Sequence, residues 1–380
     1  MKRLLQRILR AIWGGEDVVI SGYYGYGSLG DEAVLDSIVG ALLEKIPTLK
    51  IGVLSAGLSP CGKGQPIRRI RRKNPLAIVW ALLRCRLLIS GGGSLFQDTT
   101  SKRSLLYYTS IIRVAKFFGV QVFVYANGIG PLSNCKRVQT ALSCAHVVSV
   151  RDPDSFYAVL AMGIDSERVF LGADPVFLLK PATVPVAPSM DQKPYFVVSL
   201  RTCCNGKIEE ETVVRACKKL KKQGMEPVFV SMQDTFDRDL CLRVCHCCGG
   251  VMADKMSVSA LVTFLAGAQF VISMRLHCIL LAALSGTPAV ALSYDCKIDS
   301  AMEYLGQYTA LDAFFFTEDM LLDACRAVCS GGMGERGRLW ERSREFFHLA
   351  QKDANMAAGL LTAGDAAESA EHRDPVSVEP

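Results

Sequence analysis

Short apolar runs rich in β-formers recur along the chain at 18–21, 50–54, 87–90, 122–126 and 147–150. Amphipathic stretches lie between them, as at 31–45 and 104–118, with apolar positions at helical spacing. Strand–helix alternation of this kind predicts βαβ units and a parallel sheet covered on both faces. The segment 180–189, Lys-Pro-Ala-Thr-Val-Pro-Val-Ala-Pro-Ser, breaks the pattern and is expected to be a linker. Alternation resumes at 196–200, 228–231, 270–273 and 289–292, and a helix over about 335–361 closes the chain. The expected organisation is a basic leader (1–16), an α/β domain (17–180), a linker (181–194), a second α/β domain (195–330), a closing helix (331–362) and a tail (363–380). Two similar halves joined by a Pro-rich linker predict two facing doubly wound, Rossmann-like domains with a ligand cleft between them.

Composition narrows the class without naming it. The 380 residues are 50% hydrophobic and 21% charged, which excludes a disordered, collagenous or disulfide-stapled chain. The longest apolar runs fall far short of the ~20 residues that span a bilayer, so a soluble protein is expected. Forty-three Lys and Arg against 37 Asp and Glu give +6, too mild to imply nucleic acid. The positive charge is uneven. Lys2, Arg3, Arg7 and Arg10 interleave with Leu4, Leu5, Ile8, Leu9 and Ile12 in a short basic amphipathic helix that lacks the apolar core of a signal peptide. It suits loose attachment to an anionic membrane surface, or a leader packed on the body. A second run, Arg68 to Lys73, suits a phosphate-bearing ligand or plain solvent. From Ala363 the chain is Ala-, Glu- and Ser-rich without period, and disorder is expected.

Fifteen cysteines without a secretion signal predict reduced thiols in a cytoplasm. Cys241, Cys245 and Cys248 fall on one helical face, as zinc ligands or as small buried hydrophobes. Paired Cys-x-x-Cys sets at zinc-finger spacing are lacking, so no metal is expected.

Ligands of an open parallel sheet bind at the carboxyl ends of its strands. After the first strand comes Ser21-Gly-Tyr-Tyr-Gly-Tyr-Gly-Ser-Leu-Gly-Asp-Glu32. Gly25, Gly27 and Gly30 fit the dinucleotide spacing, but the second strand ends without the acid that would hold a ribose. What remains is a glycine-rich turn of backbone donors, with Asp31 at a helix start as a functional acid or merely an N-cap. The third strand ends in Gly91, Gly92 and Gly93, followed by Gln97 and Asp98, where the backbone could approach an anion closely. The fourth ends at Asn127 and the fifth at Arg151. In the second half Arg201, Arg275, His277 and Lys297 each follow a strand. An Arg-x-His at a strand end, with cations at equivalent ends, favours function over structure.

Together Gly22-Tyr-Tyr-Gly-Tyr-Gly with Gly30-Asp-Glu32, Gly91-Gly-Gly-Ser-Leu-Phe-Gln-Asp98, Asn127-Gly-Ile-Gly-Pro131, Val150-Arg-Asp152, Ser273-Met-Arg-Leu-His277 and Ser293-Tyr-Asp-Cys-Lys297 resemble the polysaccharide pyruvyl transferase family. The resemblance covers roughly 17–330 and is nearest to the CsaB-type branch, which acts on bacterial cell-wall polymers. Ser28 stands where the family usually has Asn, and Cys296 occupies a variable place. The resemblance implies a fold similar to the two-domain glycosyltransferases of B type. It implies transfer of pyruvate from phosphoenolpyruvate onto two hydroxyls of a saccharide, polymeric or lipid-linked, as a cyclic ketal with release of phosphate. Asp31, Arg151, His277 and Lys297 carry over as functional residues, with Arg201 and Arg275 as phosphoenolpyruvate ligands. No cofactor is implied, and the place of action would be the cytoplasm, or the inner face of the plasma membrane by peripheral contact. Two other classes share the pattern. A B-type glycosyltransferase would need a ribose-binding carboxylate, for which only Asp295 offers itself. A non-catalytic binder of anions would not need both Asp31 and His277.

Overall fold

The computed structural model describes residues 2–57, 67–99, 101–179, 193–203 and 206–370. Most of the expected linker and the end of the tail lie outside the described residues. The chain divides into two compact units. One draws on Met1–Gly25, Ile38–Gly172 and Leu349–Pro380, the other on Tyr26–Ser37 and Ala173–His348. The glycine-rich turn from Tyr26 onward therefore groups with the second unit, although the first strand precedes it.

The first unit holds β1 (Val18–Tyr24), β2 (Ile51–Ser55), β3 (Ile67–Arg71), β4 (Leu87–Ser90), β5 (Gly93–Phe96), β6 (Gln121–Ile129), β7 (Val147–Val150) and β8 (Val169–Leu171). Their order is β3-β2-β1-β4-β6-β7-β8, with β5 paired to β6 and every pairing parallel. The second unit holds β9 (Tyr195–Ser199), β10 (Glu226–Phe229), β11 (Val251–Met252), β12 (Val271–Ser273), β13 (Ala289–Ser293) and β14 (Ala310–Asp312). Their order is β11-β10-β9-β12-β13-β14, again all parallel. In both sheets the strand order reverses beside the first strand. The switch point lies between β1 and β4 in one unit and between β9 and β12 in the other, where doubly wound sheets open a crevice.

The central strands are apolar on both faces because helices cover both. Val19, Leu88, Val122, Val124 and Val148 pack with Ile111, Ile112 and Ala115 of the helix Lys102–Phe118. Ser101 caps that helix by accepting from Ser104 N at 3.2 Å, and Gly119 ends it at φ 85°. In the second unit Phe196, Val198, Phe229 and Ile272 pack with Leu240, Cys241 and Val244 of the helix Asp234–Cys248. Cys241, Cys245 and Cys248 are buried there, and burial pushes the Cys241 thiol up to about 12. Among the described residues no group of three or more His, Cys, Asp or Glu could hold a metal ion. Nor is any described helix long and apolar enough to cross a membrane.

The Arg68–Lys73 run, expected to face solvent or a phosphate-bearing ligand, falls mostly on β3, an edge strand, and Arg68, Arg69, Arg71 and Lys73 are exposed. Ile67 and Ile70 supply its inward contacts while Arg68, Arg69 and Arg71 face out, a common guard against edge pairing. The closing helix runs from Gly332 to Ala370, into the stretch expected to be disordered. The sequence has no apolar period there, but Ala and Glu keep their helix propensity.

On that last helix Asp353 is fully buried in the first unit, facing the Ser149 hydroxyl beside Gly172. Burial raises its pKa from 3.8 to about 7, and Ser149 only partly offsets the penalty. The folded chain therefore holds a proton that the unfolded chain releases. The group's contribution to stability is complete below about pH 4 and is lost as pH rises through about 7. Asp353→Asn should flatten that dependence and raise the melting temperature at about pH 8 more than at about pH 5. Parallel melting curves for variant and parent at the two pH values would assign the dependence elsewhere.

Candidate functional site

In the second unit the turn Tyr26–Asp31 is tied to the loop after β10. Leu29 N donates to Met232 O at 2.8 Å, Ser28 and Gln233 form an antiparallel bridge, and Gln233 Nε2 donates to Tyr26 O at 3.4 Å. Gly27 adopts φ 72°, which a side chain would resist. A cavity of about 20 Å³ beside it, lined by Gly27, Leu29, Asp234 and Arg238, has room for a water and not for a sugar. Asp31 is not the cap residue. It lies in the first turn of the helix Leu29–Lys45, and Ser28 Oγ donates to its Oδ2 at 2.5 Å.

The next contact organises the site. A Cβ placed on Gly30 would fall 2.3 Å from His277 Nδ1 and 2.5 Å from His277 Cβ. Only glycine lets the imidazole rest on the backbone of this turn. Asp31, the following residue, thus shares a helix turn with the His277 contact. His277 opens the helix Leu276–Ala283 directly after β12. Its side chain is 16% exposed, and Nε2 lies 3.7 Å from Asp174 Oδ2. Asp174 is itself buried, accepting from Val176 N at 3.2 Å as the cap of a short 3-10 turn, Pro175–Leu178. Sequence reasoning passed over Asp174. An acid directly before Pro, just past a strand, is a cap signal that could have found it.

Four cationic candidates surround the same strand ends in different states. Arg275 lies against fully buried Asp237, Nε at 2.9 Å from Oδ2 and Nη2 at 2.5 Å from Oδ1. Burial pushes the Asp237 pKa up, and the Arg275 charge and hydrogen bonds pull against it. Lys297 Nζ reaches Asp295 Oδ2 at 2.9 Å. Asp295 also caps the helix Cys296–Tyr304 by accepting from Lys297 N at 3.2 Å. Burial would raise the Asp295 pKa, but the Lys297 charge and its hydrogen bonds prevail and hold it low. Arg201, just past β9, donates to the Tyr294 hydroxyl at 3.1 Å. Its guanidinium lies 5.6 Å from the Tyr294 ring centre and 5.9 Å from that of Phe236. Among the described residues Arg201 makes no ion pair, so its charge is the least neutralised of these three. The fourth cation is His277 when protonated.

The first unit holds the other expected residues. Arg151 is buried at the end of β7, donating to Ser94 Oγ at 2.9 Å with Asp152 Oδ2 at 3.7 Å. Asn127 is fully buried, and its Nδ2 donates to Ser90 O at 2.8 Å and Tyr125 O at 3.2 Å, which binds β4 to β6. Gly91 makes room for the Tyr24 hydroxyl, 2.6 Å from where a Cβ would be. Gly92 and Gly93 lead into β5 rather than into a helix. Asp98 accepts from Ser133 N at 3.0 Å and from the Ser133 hydroxyl, which holds its carboxyl below the ordinary value. Gln97 Oε1 accepts from Thr99 Oγ1 at 2.6 Å. Asn127, Gly91 and Asp98 thus have structural duties that the sequence did not announce.

Removing the partner of a buried arginine should be costly. Asp237→Ala is expected to lower unfolding free energy by about 3–5 kcal/mol, since Arg275 would keep its charge without compensation. Asp237→Asn should lose less. Urea unfolding measures both, and a loss below about 1 kcal/mol for the alanine variant would contradict the pairing.

The chain is similar in structure to several solved proteins. The UDP-N-acetylglucosamine 2-epimerase of Neisseria meningitidis, solved with UDP-N-acetylglucosamine, aligns at TM-score 0.58 and 11% identity over 91% of this chain and 99% of that one. A protein from O. sativa solved with UDP aligns at TM-score 0.60 and 12% identity, over 90% and 100%. The lipopolysaccharide outer core galactosyltransferase WaaB aligns at TM-score 0.51 and 13% identity, over 89% and 98%. At such identities the likeness shows the fold, which is that of B-type glycosyltransferases. No curated protein matches the chain in sequence. The sequence model of one family does, across residues 29–295, from the Gly30 turn through β9 and β12 to Asp295. With most of its length matched, the chain belongs to the polysaccharide pyruvyl transferase family.

Proposed function

We propose that the chain transfers pyruvate from phosphoenolpyruvate to two hydroxyls of one sugar in a cell-wall polysaccharide or its lipid-linked precursor, in the manner of the CsaB-type branch. The reading rests on the switch point of the second unit, where β9 delivers Arg201 and β12 delivers His277 against Gly30. A doubly wound sheet takes its ligand there. The donor carries a carboxylate and a phosphate, which guanidinium groups match with paired donors. Arg201 is the principal anion ligand in this proposal. Arg275 presents whatever its pairing with Asp237 leaves open, and Lys297 approaches from the end of β13.

Addition of an alcohol across the enol double bond needs a proton at C3 and removal of one from the hydroxyl. His277 gives its proton to C3 while Asp31 accepts that of the first hydroxyl, and the oxygen bonds to C2. The second hydroxyl then attacks C2 and passes its proton to the departing phosphate, which leaves as hydrogen phosphate as the ketal closes. Cations around the phosphate stabilise the charge it carries away. No cofactor takes part in the scheme. The proposed place of action is the cytoplasmic side of the plasma membrane, where a lipid-linked acceptor would be found.

Incubation with phosphoenolpyruvate and candidate lipid-linked disaccharides should release phosphate and yield a ketal detectable by mass. Turnover of a nucleotide sugar with no phosphoenolpyruvate consumption would contradict the proposal. Within it, His277→Gln should abolish turnover while leaving donor binding nearly intact, because the proton moves only in the transition state. Undiminished turnover would remove His277 from the reaction. Arg201→Ala should weaken donor binding by about 1–3 kcal/mol in calorimetry, and unchanged affinity would place Arg201 outside the donor site.

A further inference from the structure

In the first unit, the helix Lys2–Trp13 meets the helix Pro75–Leu82. The rings of Trp13 and Trp80 touch edge to face, with centroids 5.9 Å apart. Arg84 holds the junction from beneath. It donates to Trp13 O at 3.2 Å and Gly14 O at 3.0 Å, and its guanidinium lies 4.5 Å from the Trp80 ring centre. Arg10 pairs with Asp17. The end of the basic leader is therefore built into the surface of the unit.

Besides the two touching tryptophans, each helix carries further exposed apolar side chains. Ile8 and Ile12 lie one turn apart on the first helix, and Leu76 and Trp80 one turn apart on the second. Leu76 is 79% exposed, Ile12 63% and Trp13 58%. Large apolar side chains scattered singly need no explanation, but several of them on two helices that meet through a tryptophan pair do. Cations border them. Lys50 and Arg68 share with Trp13 the walls of an open cavity of about 450 Å³, and Lys73 is exposed just before the Pro75 helix. The nearby carboxylates are matched, Asp17 by Arg10 and buried Glu16 by Arg68. The border is left positive.

We propose that this face docks the protein on an anionic membrane surface, with Trp13, Trp80, Leu76 and Ile12 entering the boundary between headgroups and acyl chains. Tryptophan favours that boundary because its ring is apolar and its N–H is polar. Lys50 and Lys73 then stand at the level of the lipid phosphates, where each cation adds attraction that fades within a Debye length. A second copy of the chain fits less well, since two positive borders would meet. Edge protection accounts for the arginines of β3, but not for exposed Leu76 and Trp13. The docking face is thus wider than the leader, and the helix Pro75–Leu82 is half of it.

The test needs no catalysis, so its failure is separate from failure of the proposed reaction. Full-length protein is sedimented with phosphatidylcholine vesicles, with and without phosphatidylglycerol. Binding should require phosphatidylglycerol and weaken with salt. Tryptophan emission should shift to the blue and be quenched by brominated acyl chains. Leu76→Glu puts a good helix former at an exposed helical position, so folding should persist by circular dichroism. It should reduce binding at least fivefold with the leader intact. Absent binding, equal binding to neutral vesicles, or unchanged binding of Leu76→Glu would each overturn the proposal. So would a dimer in the ultracentrifuge that Leu76→Glu dissolves, which would give the face to a second copy.

Discussion

The seat of His277 on the backbone of Gly30 is the constraint from which the candidate site follows. An imidazole can lie that close to a helix turn only where no Cβ intervenes. The contact brings together segments far apart in sequence, the glycine-rich turn and the helix after β12. It places Asp31 one residue from a histidine contact. The antiparallel bridge between Ser28 and Gln233 holds the turn in register, and Gln233 N in turn donates to Asp237, the partner of Arg275. One short turn therefore connects the acid, the histidine and a paired arginine.

Electrostatic matching divides the cations more sharply than their positions in sequence suggest. Arg275 and Lys297 each have a carboxylate within hydrogen-bond distance, whereas Arg201 has a phenol and two aromatic faces. An arriving dianion would therefore gain most from Arg201, since a charge already compensated attracts a further anion less. Asp295, the acid that a ribose-binding role would require, caps a helix and pairs with Lys297. Asp174 Oδ2 lies 3.7 Å from His277 Nε2, and a cap position ties Asp174 to the main chain.

Much of the parallel architecture was legible because its strands are buried on both faces and read as continuous apolar runs. β3 was not, since an edge strand crowded with arginine carries only Ile67 and Ile70 as inward signals. β11 and β14 are too short to show a period. The residues that follow strands were legible as candidates because doubly wound sheets use those positions. Their partners were not, because Asp237 and Asp174 sit in segments whose sequence speaks of helix and cap, and only the tertiary fold brings them to Arg275 and His277. Gly30 appeared as one member of a dinucleotide-type glycine spacing. Its contact with His277 is a matter of packing across the fold that no local spacing reveals. Asn127 and Asp98 look like ligands in sequence because loops after strands bind ligands, yet both hold main chain in place.

The most direct measurement is the nitrogen spectrum of histidine side chains in Gly30→Ala, with His277→Gln used to assign the His277 resonance. A methyl group at residue 30 must displace the ring. The His277 nitrogens should therefore shift and titrate at a different pH, while those of His246 and His348 stay in place. A His277 signal and titration identical to the parent's would contradict the account.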